Sequence, residues 1–324
     1  MFLFILKRLL QMIPLVFGIT FISFFIINLA PGDYLTSLKM NPQISPETIE
    51  QLKKTYGLDQ PLIVQYFKWL WNALRFDFGY SFSYNIPVID LIKERIPNTL
   101  FLSITSAVLA WSLAIPLGIL SAIYQNRFVD KVIQLTSFTF MSTPNFFLAF
   151  LFLFIAVKTG IFPTGGATSP DYEALPPLEK FLDRLWHVSL PALVLAIGSL
   201  AGLVRLMRSA MIEALNSEYV KFAIARGIPK KKIIFKYALR NAINPFITLL
   251  GFEIANLLSG AALVEIIVNW PGMGKLMLDA VLSQDLYVVM GGLYIGAIML
   301  IIGNLIADIL LAKVDPQIRK KFFE

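Results

Sequence analysis

The sequence predicts an all-α membrane protein with six transmembrane helices, both termini in the cytoplasm and a small helical external region between helices 1 and 2. Of its 324 residues, 57% are hydrophobic and 15% are charged, against about 25% charged residues in ordinary soluble domains. The mean hydropathy is +0.70. One soluble core of this length could not hide so much apolar surface. The composition therefore excludes the water-soluble classes.

Six stretches are long and apolar enough to cross a bilayer, which takes about 20 residues. Four contain no charged residue and two contain one acid each: 9–32, 96–126, 132–157, 185–204, 241–264 with Glu253, and 286–312 with Asp308. The first is longer than a signal-peptide core, about 7–15 residues, and no small-x-small cleavage pattern follows it. We therefore expect it to remain as the first span.

Several of the spans carry proline, as at Pro14, Pro116, Pro144 and Pro191. A spanning helix tolerates proline where neighbouring helices satisfy the freed carbonyl groups. The prolines therefore predict either a kinked bundle around a cavity or simple bends.

The distribution of charge predicts the orientation. If both termini share one side, that side carries 17 Lys and Arg residues and five acids, with nine of the bases in the 205–240 segment. The opposite side carries 11 bases and 14 acids, so the net charges are +12 and −3. Basic residues collect on cytoplasmic loops. We therefore expect both termini in the cytoplasm and no binding of nucleic acid.

The spans divide the chain into three regions: 1–32 with the N-terminus and the first span, 33–95 outside the membrane, and 96–324 as a five-helix core with a cytoplasmic loop at 211–236. In the external region, Ser45 before Pro46 is typical of a helix start and Gly57 of a stop. Further helical stretches cover 61–76 and 87–95, the latter leading into the second span. The region is either a small cap on the membrane surface or a contact surface for an external partner.

The chain has no cysteine and one histidine, His187. The lack of thiols excludes disulfide frameworks, thiolate zinc sites and iron–sulfur clusters. A single histidine argues against a haem or histidine-built metal site, and His187 is expected to be an interfacial residue. We expect neither a metal site nor a catalytic residue.

The most informative segment is the cytoplasmic stretch 217–232. Ser217 can cap a short helix and Gly227 can end it. Tyr219, Phe222 and Ala223 lie at i, i+3 and i+4, so this helix would present one apolar ridge. A helix this short is unstable alone and needs a groove to bury its ridge. Alternatively, the neighbouring bases bind anionic lipid headgroups.

The loop and several other stretches carry motifs that occur together in one family. They are Glu218-Tyr219-Val220, Ala223, Gly227 and Ala238-Leu239-Arg240-Asn241-Ala242 in the loop, and residues 77–81, 163–166, 270–274 and 315–319 elsewhere. Their order resembles that of permease subunits of ATP-binding cassette importers, in the branch that takes up dipeptides, oligopeptides and nickel. The resemblance covers essentially the whole chain, and the long external region is similar to that of the first, B-type permease.

The loop departs from the general signature of that family, Glu-Ala-Ala, three residues, Gly, nine residues, Ile-x-Leu-Pro. Lys221 and Phe222 replace Glu-Ala, Tyr237 replaces Ile, and Arg240 stands where proline is usual. These departures resemble the peptide branch.

The resemblance implies a permease in the cytoplasmic (inner) membrane of a prokaryote, working as a heterodimer with a second homologous permease. Two cytoplasmic ATP-binding-cassette ATPases would bind ATP and Mg, and an external solute-binding protein would deliver the substrate. The nearest phosphate-loop candidate here, Gly274-Lys275, continues with Leu276 rather than Ser or Thr. This chain is then not an enzyme and holds no cofactor. The residues expected to couple to the ATPases are Glu218, Tyr219, Phe222, Ala223, Arg226, Gly227 and Leu239.

Candidates for the translocation pathway or an external gate are Glu253 and the turn Trp270-Pro271-Gly272. An acid inside the bilayer is costly and faces protein or water. Glu253 could therefore attract a cationic group of a substrate or bond to a neighbouring helix, and the turn could equally be a tight connection. Asp308 is expected to be structural, with Lys313 near it.

The expected cargo is a di- or oligopeptide, with nickel or an oligosaccharide as alternatives for the same machinery. An ion-coupled secondary transporter is a more distant alternative. Such proteins usually show inverted repeats with paired broken helices, and no clear repeat relates residues 1–160 to 161–324.

Overall fold

The computed structural model describes residues 2–29, 45–55, 57–246, 249 and 262–314. Within these ranges the chain is mostly helical, and its only β-structure is an isolated bridge between Tyr80 and Pro87. The all-α prediction is confirmed for this part of the chain.

The helices of the described ranges follow in chain order. They are α1 (Phe2–Leu29), α2 (Pro46–Thr55), α3 (Leu62–Ala73), α4 (Val88–Ile123), α5 (Phe128–Met141), α6 (Asn145–Thr159), α7 (Pro177–Asn216), α8 (Glu218–Ala225), α9 (230–242), α10 (Ala262–Ile267), α11 (Met273–Leu282) and α12 (Leu286–Val314). Within α9, α-helical Lys230–Lys232 and Leu239–Ala242 flank a π-helical segment, Ile233–Ala238.

The chain forms two compact units. The first comprises residues 1–99 and 271–302, and the second comprises 100–270 and 303–324.

The first unit has an aromatic-rich core built mainly by α1, α3 and α12. Phe24, Tyr66 and Trp69 are buried there with Leu91 and Met290. The helix signals of the external region are confirmed at its start and its stop. Ser45 Oγ accepts a hydrogen bond from the Thr48 amide at 3.2 Å, and Gly57 has φ +65°.

A buried carboxylate ties the loop before α4 to the start of α12 within the first unit. Asp285 is fully buried. It accepts hydrogen bonds from the Ser81 hydroxyl and from the Ser83 amide at 3.0 Å. These bonds satisfy a carboxylate that would otherwise be costly to bury.

The second unit packs around α7, a helix of 40 residues. Residues 100–123 of α4 approach it closely at Gly118. A Cβ built on that glycine would lie 2.5 Å from Met207 Cβ and 2.9 Å from the Val204 carbonyl oxygen. Glycine is therefore required for the two backbones to come this close, as at many interfaces between membrane helices.

Three described helices are long and apolar enough to cross a membrane: α4, α7 and Leu286–Ile306 of α12. They coincide with the second, fourth and sixth predicted spans. A shorter apolar segment, Ile13–Leu29 of α1, corresponds to the first. The fifth, 241–264, lies largely outside the described residues.

The third predicted span differs, because it is two helices rather than one. α5 and α6 meet at a bend of 100° and together are apolar enough for one broken span. The break falls at Ser142–Pro144, where Pro144 adopts the extended conformation before α6. Proline disfavours helical geometry in the residue before it, which ends α5 here.

Candidate functional site

The predicted cytoplasmic helix is α8, and Gly227 ends it. Gly227 has φ +71°, and the Ile228 amide donates to the Ala223 carbonyl at 3.2 Å. This backbone geometry is the usual glycine stop of a helix. Ser217 stands at the N-cap but makes no side-chain cap hydrogen bond, because its hydroxyl donates to the Ala214 carbonyl at 2.6 Å.

The predicted apolar ridge of α8 has an exposed part and a buried part. Tyr219 and Phe222 are 41% and 64% exposed, whereas Ala223 is only 3% exposed. Ala223 packs with Val220 and Ile233 in a small core. The surface available to a partner is therefore Tyr219 and Phe222, and Ala223 fixes the helix from beneath.

Charged groups border this exposed surface. The Arg226 guanidinium lies 5.6 Å from the centre of the Phe222 ring, and Lys221 pairs with Glu218 at 2.8 Å. Both members of the pair are largely exposed, so it contributes little stability. The exposed part of the α8 ridge is an aromatic pair with charges of both signs at its edge.

Leu239 does not belong to that surface. It is partly buried and packs against the main apolar core of the second unit. The structure thus brings together Glu218, Tyr219, Phe222, Arg226 and Gly227 on one short segment, and places Leu239 among the supporting residues.

An ion pair between α7 and the start of α5 has a buried carboxylate and a partly buried guanidinium. Arg208 donates from Nε and Nη2 to the two carboxylate oxygens of Asp130, at 2.8 and 2.7 Å. Asp130 also accepts from the Ser121 hydroxyl and from the Asn126 amide at 2.8 Å. Sequence reasoning missed this network, because 78 residues separate the two charges and nothing in the local pattern relates them.

The predicted gate residues are held by packing, by backbone hydrogen bonds and by a helix cap. Trp270 is fully buried in the second unit with Leu102 and Leu148, and its amide donates to the Glu265 carbonyl at 2.7 Å. In the first unit, the Pro271 carbonyl accepts from Asn98 at 3.0 Å. Gly272 is the N-cap of α11.

The remaining candidate acids and the histidine are only partly described. Glu253 lies outside the described residues, and so does the side chain of Lys313 that was expected near Asp308. Asp308 is partly buried in α12. His187 is buried, with Nδ1 2.9 Å from the Asp183 carbonyl oxygen. The described ranges contain no group of three or more side chains suited to hold a metal ion.

These features define the class of the protein. It is an apolar helical membrane protein with an exposed aromatic helix on a basic loop. The chain belongs to the family described as "Binding-protein-dependent transport system inner membrane component", which matches residues 114–320. The N-terminal family of the same membrane components matches residues 1–103.

Relatives along the full length support this membership. The oligopeptide transport system permease protein AppB of Bacillus subtilis is 43% identical over 97% of this chain and 98% of its own. The dipeptide transport system permease protein DppB of Escherichia coli K12 is 34% identical over 98% and 99%. The glutathione transport system permease protein GsiC of Shigella flexneri is 33% identical over the same shares. The chain is therefore a transporter permease rather than an enzyme.

Proposed function

We propose that this chain is the first, B-type permease of an ATP-driven importer. With a second homologous permease it would form the pathway for di- or oligopeptides that an external binding protein delivers. The observation that carries the proposal is the 43% identity, over 97% of the chain, to a permease named for oligopeptide transport. Relatives named for dipeptide and glutathione transport support the same class of substrate.

The exposed part of α8 would dock in a groove of a cytoplasmic ATPase. Tyr219 and Phe222 supply the aromatic anchors that dominate many interfaces. The buried contacts of Val220 and Ala223 hold the helix to its own loop, so that movement of the groove moves the permease. ATP and Mg would be bound by the ATPases, and nucleotide must favour one state of the assembly for transport to be driven.

This role requires six spans with both termini in the cytoplasm. The net charges of +12 and −3 on the two sides support that orientation. The broken α5–α6 pair would form the third span, and residues 241–264 would supply the fifth. The region between the first and second spans would then lie on the external side, where a binding protein docks.

Uptake by intact cells tests the substrate class. We expect cells that lack this chain to lose uptake of labelled di- and tetrapeptides, and the wild-type chain to restore it, while uptake of nickel and oligosaccharides stays unchanged. Restored uptake of nickel or sugar without peptide would assign another cargo. ATP depletion should stop the uptake and collapse of ion gradients should not; the opposite pattern would indicate an ion-coupled transporter.

A further inference from the structure

Helix α3 has an apolar face that no described residue covers. Seen along its axis, the helix has three sectors. The buried sector consists of Tyr66, Trp69 and Ala73. The polar sector consists of Gln65, Lys68 and Asn72, with Arg75 in the turn that follows. The apolar outer face consists of Ile63, Val64, Phe67 and Trp71, continued by Leu74 in the same turn. The five outer residues are between 38% and 60% exposed. Such a continuous apolar surface needs an occupant.

The contact of α3 with α1 gives the depth of this face. The Tyr66 hydroxyl lies 3.0 Å from Thr20 Oγ1, and the Tyr66 ring packs against Phe17, Phe21 and Phe24. Thr20 follows Arg8 by twelve residues and precedes Asp33 by thirteen. It therefore lies at the middle of the uncharged run, roughly 18 Å along the helix from Arg8. A hydrocarbon core is about 30 Å thick, so Thr20 lies deep inside it.

A second helix gives a consistent depth. Trp69 packs edge-to-face on Tyr294 of α12, with ring centres 6.1 Å apart. Tyr294 follows Asp285, the last charged residue before α12, by nine residues. That spacing places Tyr294 roughly 14 Å along the helix from Asp285. Two spanning helices thus hold α3 below the level of their own charged ends.

The polar sector adjoins the apolar outer face, since Lys68 and Asn72 also border the shallow depression lined by Ile63, Phe67 and Trp71. Gln65, Lys68 and Asn72 line a polar pocket of the first unit together with Lys54 and Asp77. Arg75 lies over the Trp71 ring at 4.8 Å, where its long side chain can reach toward headgroups. This division into a polar and an apolar side is typical of helices that lie in a membrane interface.

We infer that α3 is sunk into the outer leaflet and that lipid acyl chains cover its apolar outer face. The region between the first two spans is then partly a membrane element rather than a cap above the surface. The inference requires that α1 spans the bilayer, and it is independent of the transported substrate.

Spin labels at single cysteines test the inference, because the native chain has no cysteine to remove. Nitroxides would be placed by I63C, F67C and W71C on the outer face, and by K54C and Q65C at the polar pocket as controls. The chain would be purified from native membranes with its accompanying subunits and placed in vesicles of phosphatidylethanolamine and phosphatidylglycerol. Collision rates with oxygen, which enters lipid, and with a water-soluble nickel chelate would be measured by paramagnetic resonance.

We expect the ratio of oxygen to nickel collisions to be severalfold higher at the three outer positions than at the two controls. Equal nickel access at all five positions would place α3 in water and overturn the inference. Protection of the outer positions from both reagents would mean that protein, such as a second permease, covers the face, and would also overturn it.

A measurement on native side chains covers the case in which labelled variants fail to fold. Bromine-labelled lipid should quench the tryptophan fluorescence of the wild-type chain more than that of Trp71→Phe. Equal fractional quenching of the two proteins would contradict the lipid contact.

Discussion

At the scale of single residues, substitutions at the neighbours Phe222 and Ala223 test different properties: the exposed surface of α8 and the packing beneath it. A charge at Ala223 would be buried against Val220 and Ile233 and would disrupt α8 itself. A charge at Phe222 stays in solvent in the free chain. The docking hypothesis is therefore tested at Phe222.

We expect Phe222→Asp to uncouple ATP hydrolysis from transport. The amount of chain in the membrane should stay unchanged. Loss of a central interface aromatic typically costs about 2 kcal/mol, or roughly 30-fold in binding. The measurements are co-purification of the ATPase subunits and substrate-stimulated ATP hydrolysis in vesicles.

Ile224→Asp is the matched control for this substitution. Ile224 is similarly exposed, at 57%, but lies two positions from Phe222 and so points to the far side of α8. Normal coupling in Phe222→Asp, or an equal loss in both variants, would argue against docking through the Tyr219–Phe222 surface.

A second prediction at this scale concerns the ion pair of the buried Asp130 with the partly buried Arg208. Arg208→Leu leaves an uncompensated carboxylate, and we expect a loss of stability of about 3 kcal/mol. The double variant Asp130→Asn, Arg208→Leu removes both charges and should recover most of that loss. The midpoint of thermal unfolding in detergent measures the difference; equal midpoints for the single and double variants would mean that the pair is not the cause.

At the scale of elements, helix ends were predicted well and helix continuity less well. Ser45, Gly57 and Gly227 are local signals, since cap and turn conformations depend on the residue at the position itself. The sequence also placed Pro144 within a span, but it could not distinguish a bend from the observed break of 100°. The angle depends on packing against α7, which is a tertiary effect.

The close approach of α4 to α7 makes a prediction about two glycines. Gly118→Ala adds a methyl group where Met207 and Val204 already lie, and overpacking of this kind typically costs about 1–3 kcal/mol. Gly202→Ala is the control, because a Cβ there meets nothing within 4 Å. We expect a lower unfolding temperature for the first variant and an equal or higher one for the second. Equal effects would mean that the helices can separate without cost.

At the scale of the whole molecule, orientation is the prediction that most needs a direct test. Two single cysteines serve as labelling sites, Thr164→Cys and Lys231→Cys. Thr164 lies in the loop after α6 and Lys231 lies in α9, and both residues are exposed. A membrane-impermeant maleimide added to intact cells should label the first and not the second, and permeabilised cells should show both. Labelling of Lys231→Cys from outside would reverse the proposed topology.

The class of the molecule was predictable from the sequence, whereas its long-range contacts were not. Composition fixed the membrane class, and the joint order of short motifs indicated the family. The inward turn of Ala223, the ion pair of Asp130 with Arg208 and the buried contact of Ser81 with Asp285 join distant segments or depend on packing. The hydrophobic periodicity of a sequence carries no information about such contacts.

The ion pair of Asp130 with Arg208 also has a consequence for biosynthesis. A ribosome adding about 5–20 residues per second makes the aspartate first, and the 78 residues that follow delay the arginine by roughly 4 to 16 s. During that interval the nascent chain carries a carboxylate without its partner at the start of α5. Until α7 emerges, the carboxylate is therefore held by the Ser121 hydroxyl and the Asn126 amide, both of which are made before it.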